Sequence, residues 1–288
     1  MELVRLALVA GALLSAAVAA DAAPAAQPVR PSARLLHELA RSDDLKAFTT
    51  SALTRPAEGG YFYARYVANM CGRDWAVITR YGQAAVEPEI RASGPLPAWR
   101  VEMMQNLPRR CAGFAPGEAG AILADLKSRP DLLEDPLLSA ERELVDASRA
   151  GRHAALRSAV RRLIQLDDPV LWTERRLWDR VAQSDPRTRG RGGYFFDRKV
   201  YQGDDPKFLE IALALEIAFC QPDLPCAPDD ELSVVCATGG DCAPDRYARS
   251  RSFYLANGGS EKGWPRVLAL VRRIQNALRT GDVAMFVR

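Results

Sequence analysis

Apolar residues recur at intervals of three and four through most of the chain, the repeat that gathers them on one face of an α-helix. Val267, Leu270, Val271, Ile274, Ala277 and Leu278 keep that spacing, with Arg266, Arg272, Arg273 and Arg279 between them and Gly281 placed for a left-handed cap. The pattern predicts an amphipathic helix over 265–280. Leu156, Ala159, Val160 and Leu163 repeat it, as do Leu137, Ala140, Leu144 and Ala147 before Gly151, which predicts two antiparallel helices in a hairpin. Asp205-Pro206 opens a further helix: Asp accepts orphan amides, Pro needs no donor at the first helical position, and 208–220 is apolar on nearly every side, as a buried helix is.

The same reading places helices at 33–41, 43–53, 60–71, 74–82, 97–112, 117–127, 137–150, 153–166, 169–183, 206–220, 229–237, 244–255 and 265–280. Strands have little support, because no segment alternates over a sustained length around a two-residue turn. The expected fold is all-α, antiparallel helical hairpins in an irregular array.

The N-terminus changes the picture. Arg5 supplies positive charge, Leu6–Leu14 are apolar without interruption, and Ala17, Val18, Ala19 and Ala20 are small, the layout of a secretory signal peptide cleaved after Ala19 or Ala20. Residues 1–20 are thus expected to be removed, 21–31 to form an Ala- and Pro-rich leader, and 32–288 to be the helical domain in the periplasm or outside the cell. The apolar run is too short to span a bilayer, and no membrane span is expected in the mature chain.

Export gives the cysteines a meaning. Cys71, Cys111, Cys220, Cys226, Cys236 and Cys242 are an even number in an oxidising compartment, and three disulfides are expected. Pro and Gly turns favour Cys220 with Cys226 and Cys236 with Cys242, leaving Cys71 with Cys111; the rival joins Cys220 to Cys236 and Cys226 to Cys242. The spacing suits neither zinc nor a redox dithiol.

Charge excludes one class of partner. The 39 bases and 36 acids leave +3 spread over 288 residues, too little concentrated charge for nucleic acid.

One stretch resembles another. Glu58-Gly-Gly-Tyr-Phe-Tyr-Ala-Arg-Tyr-Val67 matches Arg191-Gly-Gly-Tyr-Phe-Phe-Asp-Arg-Lys-Val200 in Gly-Gly-Tyr-Phe, Arg and Val. Two related lobes divided near 130–136, each with an aromatic helix start after Gly-Gly, are one reading. Tyr61, Tyr63, Tyr194 and Phe196 then form a candidate aromatic binding surface; the competing reading anchors these aromatics in the core.

Motifs for chemistry are absent: no Walker loop, dinucleotide fingerprint, paired-histidine zinc helix or nucleophile elbow occurs. His37 and His153 read as surface histidines. The pairs Asp43-Asp44, Asp167-Asp168, Asp204-Asp205 and Asp229-Asp230 each precede a helical pattern, where a carboxylate caps amides. No residue is assigned a catalytic, cofactor-binding or metal-ligating role, and no cofactor is expected.

With its signal peptide, its Gly-Gly-Tyr-Phe-Tyr turn, Arg109-Arg-Cys-Ala-Gly-Phe114 and the Cys220–Cys242 block, the chain resembles uncharacterised exported α-helical proteins of proteobacteria with paired cysteines. The resemblance implies a compartment and a fold but no activity. The expected role is binding a macromolecule, such as a protein, or an envelope component. Its rivals are a carboxylate-dependent hydrolase of an envelope polymer and a thiol redox sensor or oxidoreductase.

Overall fold

The computed structural model describes residues 31–173, 193–203, 205, 207–218 and 230–287. Among the described residues the chain is all-α apart from one small hairpin. Thirteen α-helices lie among the described residues: α1 (Ala33–Arg41), α2 (Leu45–Ala52), α3 (Gly60–Asn69), α4 (Trp75–Ser93), α5 (Ala98–Cys111), α6 (Glu118–Ser128), α7 (Pro136–Arg149), α8 (His153–Leu166), α9 (Pro169–Thr173), α10 (Phe208–Ala218), α11 (Asp230–Ala237), α12 (Arg246–Ala256) and α13 (Trp264–Thr280). The expected signal peptide, nearly all of the expected leader, the run 174–192 and the expected Cys220–Cys226 pair lie outside the described residues.

Burial follows the periodicity. Leu156, Ala159, Val160 and Leu163 of α8 meet Leu137, Ala140, Leu144 and Ala147 of α7 across a three-residue turn, as the hairpin reading requires. On α13 the buried residues are Val267, Val271, Ile274 and Ala277, set against α10, whose Ile211, Leu213, Ala214, Leu215 and Ile217 are also buried. One hydrophobic cluster runs from Leu35 to Val287. In its N-terminal part α3 is hidden on almost all sides between α2, α6 and α7.

Among the described residues two disulfides staple the array. Cys71 is joined to Cys111 with Cα atoms 5.4 Å apart, and Cys236 to Cys242 at 4.6 Å. The second bond rules out the crossed alternative, which needed both cysteines for other partners. Cys71 lies in a π-helical turn, Met70–Asp74, between α3 and α4.

Two expectations about local structure are corrected. The helix expected to stop at 82 runs on to Ser93, through Gly82 and Pro88, because Val86 still finds a buried place at 2% exposure. Gly82 sits where α11 approaches: a β-carbon there would be 3.1 Å from the carbonyl oxygen of Ala237. The second correction is a β-hairpin, β1 (Gly193–Phe196) paired antiparallel with β2 (Lys199–Gln202), where no strand was expected. Its turn residues Asp197 and Arg198 have φ of 48° and 64°, the left-handed pair of a tight two-residue turn. Four-residue strands are too short to show alternation, and Asp-Arg lacks the glycine that usually marks such a turn. The hairpin is held from outside, by the Asp197 amide on the carbonyl of Met285 and by an Asp197–Arg273 ion pair.

The two Gly-Gly-Tyr-Phe stretches therefore differ in backbone. Tyr61 and Phe62 begin a helix, whereas Tyr194 and Phe195 lie in a strand, so the aromatic helix start expected in the second stretch is not there.

Candidate functional site

Aspartates organise the interior. Asp135, fully buried, accepts the backbone N–H of Leu137 and Leu138 on Oδ1, capping α7, and that of Phe62 on Oδ2 at 2.9 Å, capping α3 as well. Asp168 does the same for α9 through Leu171 N–H at 2.8 Å. Its Oδ2 accepts the hydroxyls of Ser32, at the start of α1, and of Tyr63, in the middle of α3. Burial raises the pKa of both carboxyls, while their hydrogen bonds oppose that shift. Burial also pushes the Tyr63 hydroxyl well above its usual range, with the Asp168 charge adding to it. Glu210 is buried beside Tyr254 and Arg266, accepting from both. Each of these carboxylates is bonded to neighbours in the fold.

Two surface concavities among the described residues lie on α1 and α2. One shallow groove, about 580 Å³, is lined by Arg34, His37, Glu38, Arg41 and Ser42. The first four are spaced i, i+3, i+4 and i+7, the exposed stripe of α1 opposite buried Leu35, Leu36 and Leu39. Glu38 is held by both terminal nitrogens of Arg55 and by Arg34, and the Arg55 guanidinium keeps its carboxyl below the usual range. With Glu38 so engaged, His37 and Arg41 make the groove rich in donors. A second groove, about 540 Å³, is lined by Asp44, Lys46, Ala47, Thr50, Ser51 and Thr54 of α2 and its end. The hydroxyls of Thr50 and Thr54 donate to the carbonyls of Lys46 and Ser51, which leaves their oxygens as acceptors. The two grooves adjoin through Ser42, whose hydroxyl donates to the Asp44 carbonyl at 2.7 Å. A donor-rich edge thus lies beside one that offers the oxygens of Asp44, Thr50 and Thr54 and whose lysine, Lys46, is paired with Glu118, both open to solvent.

No family model, no curated protein and no solved structure matches the chain.

Of the candidate aromatic surface, Tyr61, Tyr63 and Phe196 are at most 2% exposed and Tyr194 is half-buried against Phe208. The side chains of Tyr61, Tyr63 and Phe196 pack in the core, the competing reading for them, while Tyr194 keeps part of its ring at the surface. Tyr61 keeps one outward link: its hydroxyl donates to Asp131 at 2.5 Å, and Arg129 lies over its ring while pairing with Asp131. That bond raises the Tyr61 pKa and, with Arg129, lowers that of Asp131.

In three of the acidic pairs one aspartate accepts amides at a helix start. Asp44 accepts from Lys46 and Ala47, Asp168 from Leu171, and Asp205 from Lys207; Asp204 and Asp229 lie outside the described residues. Both histidines are exposed. All described cysteines are in disulfides, and among the described residues no three His, Cys, Asp or Glu side chains gather as metal ligands do. The α1–α2 corner was not visible as a site in the sequence, since it depends on which way two short helices turn their polar faces.

Proposed function

We propose that the chain is an exported, disulfide-stapled binding protein that engages a macromolecule or envelope component at the α1–α2 corner. The observation that carries this reading is the paired groove: a shallow surface with donors along one side and acceptors along the other suits an extended polar segment crossing both. An enclosed cleft built to surround a small substrate is a different shape. Export is supported by the signal-peptide layout and by two disulfides, which persist in oxidising compartments. Among the described residues no helix is long and apolar enough to cross a membrane.

A photo-crosslinking amino acid in place of Thr50 tests it, with Ala121 on the exposed side of α6 as control. Irradiation in the native envelope fraction should give a discrete adduct from position 50 that weakens when Arg41 is changed to Ala. No adduct, or an equal one from position 121, overturns the proposal.

A further inference from the structure

The tip of the α7–α8 hairpin carries a strip of unanswered positive charge. Arg149 ends α7, Arg152 precedes α8, and His153, Arg157 and Arg161 follow at successive turns of α8; all five side chains are exposed. Elsewhere on this hairpin arginines have acids: Arg142 pairs with Asp146 and Arg162 with Glu143, while Glu141 is taken by Arg65. The acids of α7 that face this side are therefore consumed. Among the described residues no carboxylate lies within ion-pair distance of Arg149, Arg152, Arg157 or Arg161.

Four like charges without counter-charges repel one another, and an anionic partner removes that cost. Arginine's planar fork meets carboxylate or phosphate oxygens bidentately, which a lysine ammonium cannot do. His153, Arg157 and Arg161 advance by four residues each, about 6 Å per step along the helix axis, which makes a line about 12 Å long. One such step is comparable with the advance of one sugar ring in an extended glycan. The neighbouring exposed positions are Ala154, Ser158 and Gln165, none of them a bulky apolar side chain to insert into lipid. Duplex nucleic acid engages a broader field of phosphate contacts than one helix edge provides.

From the unpaired arginines, their linear spacing and the absence of bulky apolar side chains between them, we infer that the α7–α8 tip binds a linear acidic polysaccharide with carboxylates on its sugar rings. Its residues differ from those of the α1–α2 corner, so the crosslink at position 50 and the polysaccharide site stand or fall separately.

Alginate is the probe for the purified chain, with dextran as neutral control, and affinity electrophoresis or calorimetry at low salt as the measurement. Alginate should bind and dextran should not. Arg157→Gln with Arg161→Gln should weaken alginate binding at least tenfold, whereas Arg91→Gln with Arg251→Gln, an equal loss of charge elsewhere, should change it less than twofold. All four positions are exposed, and circular dichroism identifies any variant that has lost its fold. The inference is overturned if alginate does not bind, if the two double variants weaken it equally, or if phosphatidylglycerol vesicles or duplex DNA bind more tightly than alginate.

Discussion

Asp135 accepts the backbone N–H of Phe62 across 73 residues of chain while its other oxygen caps the helix it begins. One carboxylate thus terminates two helices, and the orphan amides of both ends depend on it. Asp135→Ala should lower unfolding stability by about 2–4 kcal/mol, a lost cap plus a stranded buried donor. Asp135→Asn keeps an acceptor for α7 but sets an amide N–H against that of Phe62, and should fall between. Urea unfolding of the three proteins checks the order; an alanine variant within about 0.5 kcal/mol of the parent would refute it.

The buried aspartates also set a pH dependence. The folded-state pKa of Asp168 is raised from its ordinary 3.8, so the native protein holds that proton to higher pH than the unfolded chain does. Stability from this group is full below the unfolded value and is lost as pH rises through the folded one. Asp168→Asn removes the titration, so the parent's stability relative to this variant should fall as pH climbs from about 4. Glu38 has the opposite sign: its pKa is lowered, so what it contributes disappears as pH falls through the folded value. A parent-minus-variant difference for Asp168 that is flat or rises with pH, measured by denaturant titration, contradicts this account.

The two disulfides should differ in weight. Cys71–Cys111 spans 40 residues and Cys236–Cys242 spans 6. Chain entropy assigns the longer closure about 4 kcal/mol and the shorter about 2 kcal/mol. Replacing Cys71 and Cys111 by Ala should depress the thermal midpoint more than replacing Cys236 and Cys242, and equal depressions would show that loop entropy is not the main contribution.

Gly60 and Gly120 make a contrasting pair. A β-carbon on Gly60 would stand 1.9 Å from the carbonyl oxygen of Ala52, where α3 starts against the end of α2. Gly60→Ala should cost about 3 kcal/mol or more, because backbone must move. Nothing lies within 4 Å of the same position on Gly120, in α6, and Gly120→Ala should add about 0.5–1 kcal/mol. Thermal melting reads both signs.

What was legible in the chain was the helix lattice, since three- and four-residue spacing is a local signal that burial then obeys, as in α7, α8 and α13. The β1–β2 hairpin was not, because its stability comes from Met285 and Arg273, far along the sequence. The helix expected to end at 82 continues through Pro88 to Ser93, where packing around Val86 carries it on. Asp168 was readable as a cap but not as the meeting point of Ser32 and Tyr63, a convergence that only tertiary structure creates. The α1–α2 grooves were hidden for a similar reason: residues such as Thr50 and Arg41 carry no motif, and their alignment comes from the corner itself.

The bond between Cys71 and Cys111 closes the base of the hairpin formed by α4 and α5, and its turn, 94–97, is at the other end. There the chain is a covalent ring. A protease nick at that turn would open the peptide backbone without freeing a fragment, and the cut would stay silent on a gel until a reductant was added. Continuity across this part of the molecule is carried twice, once by amide bonds and once by sulfur.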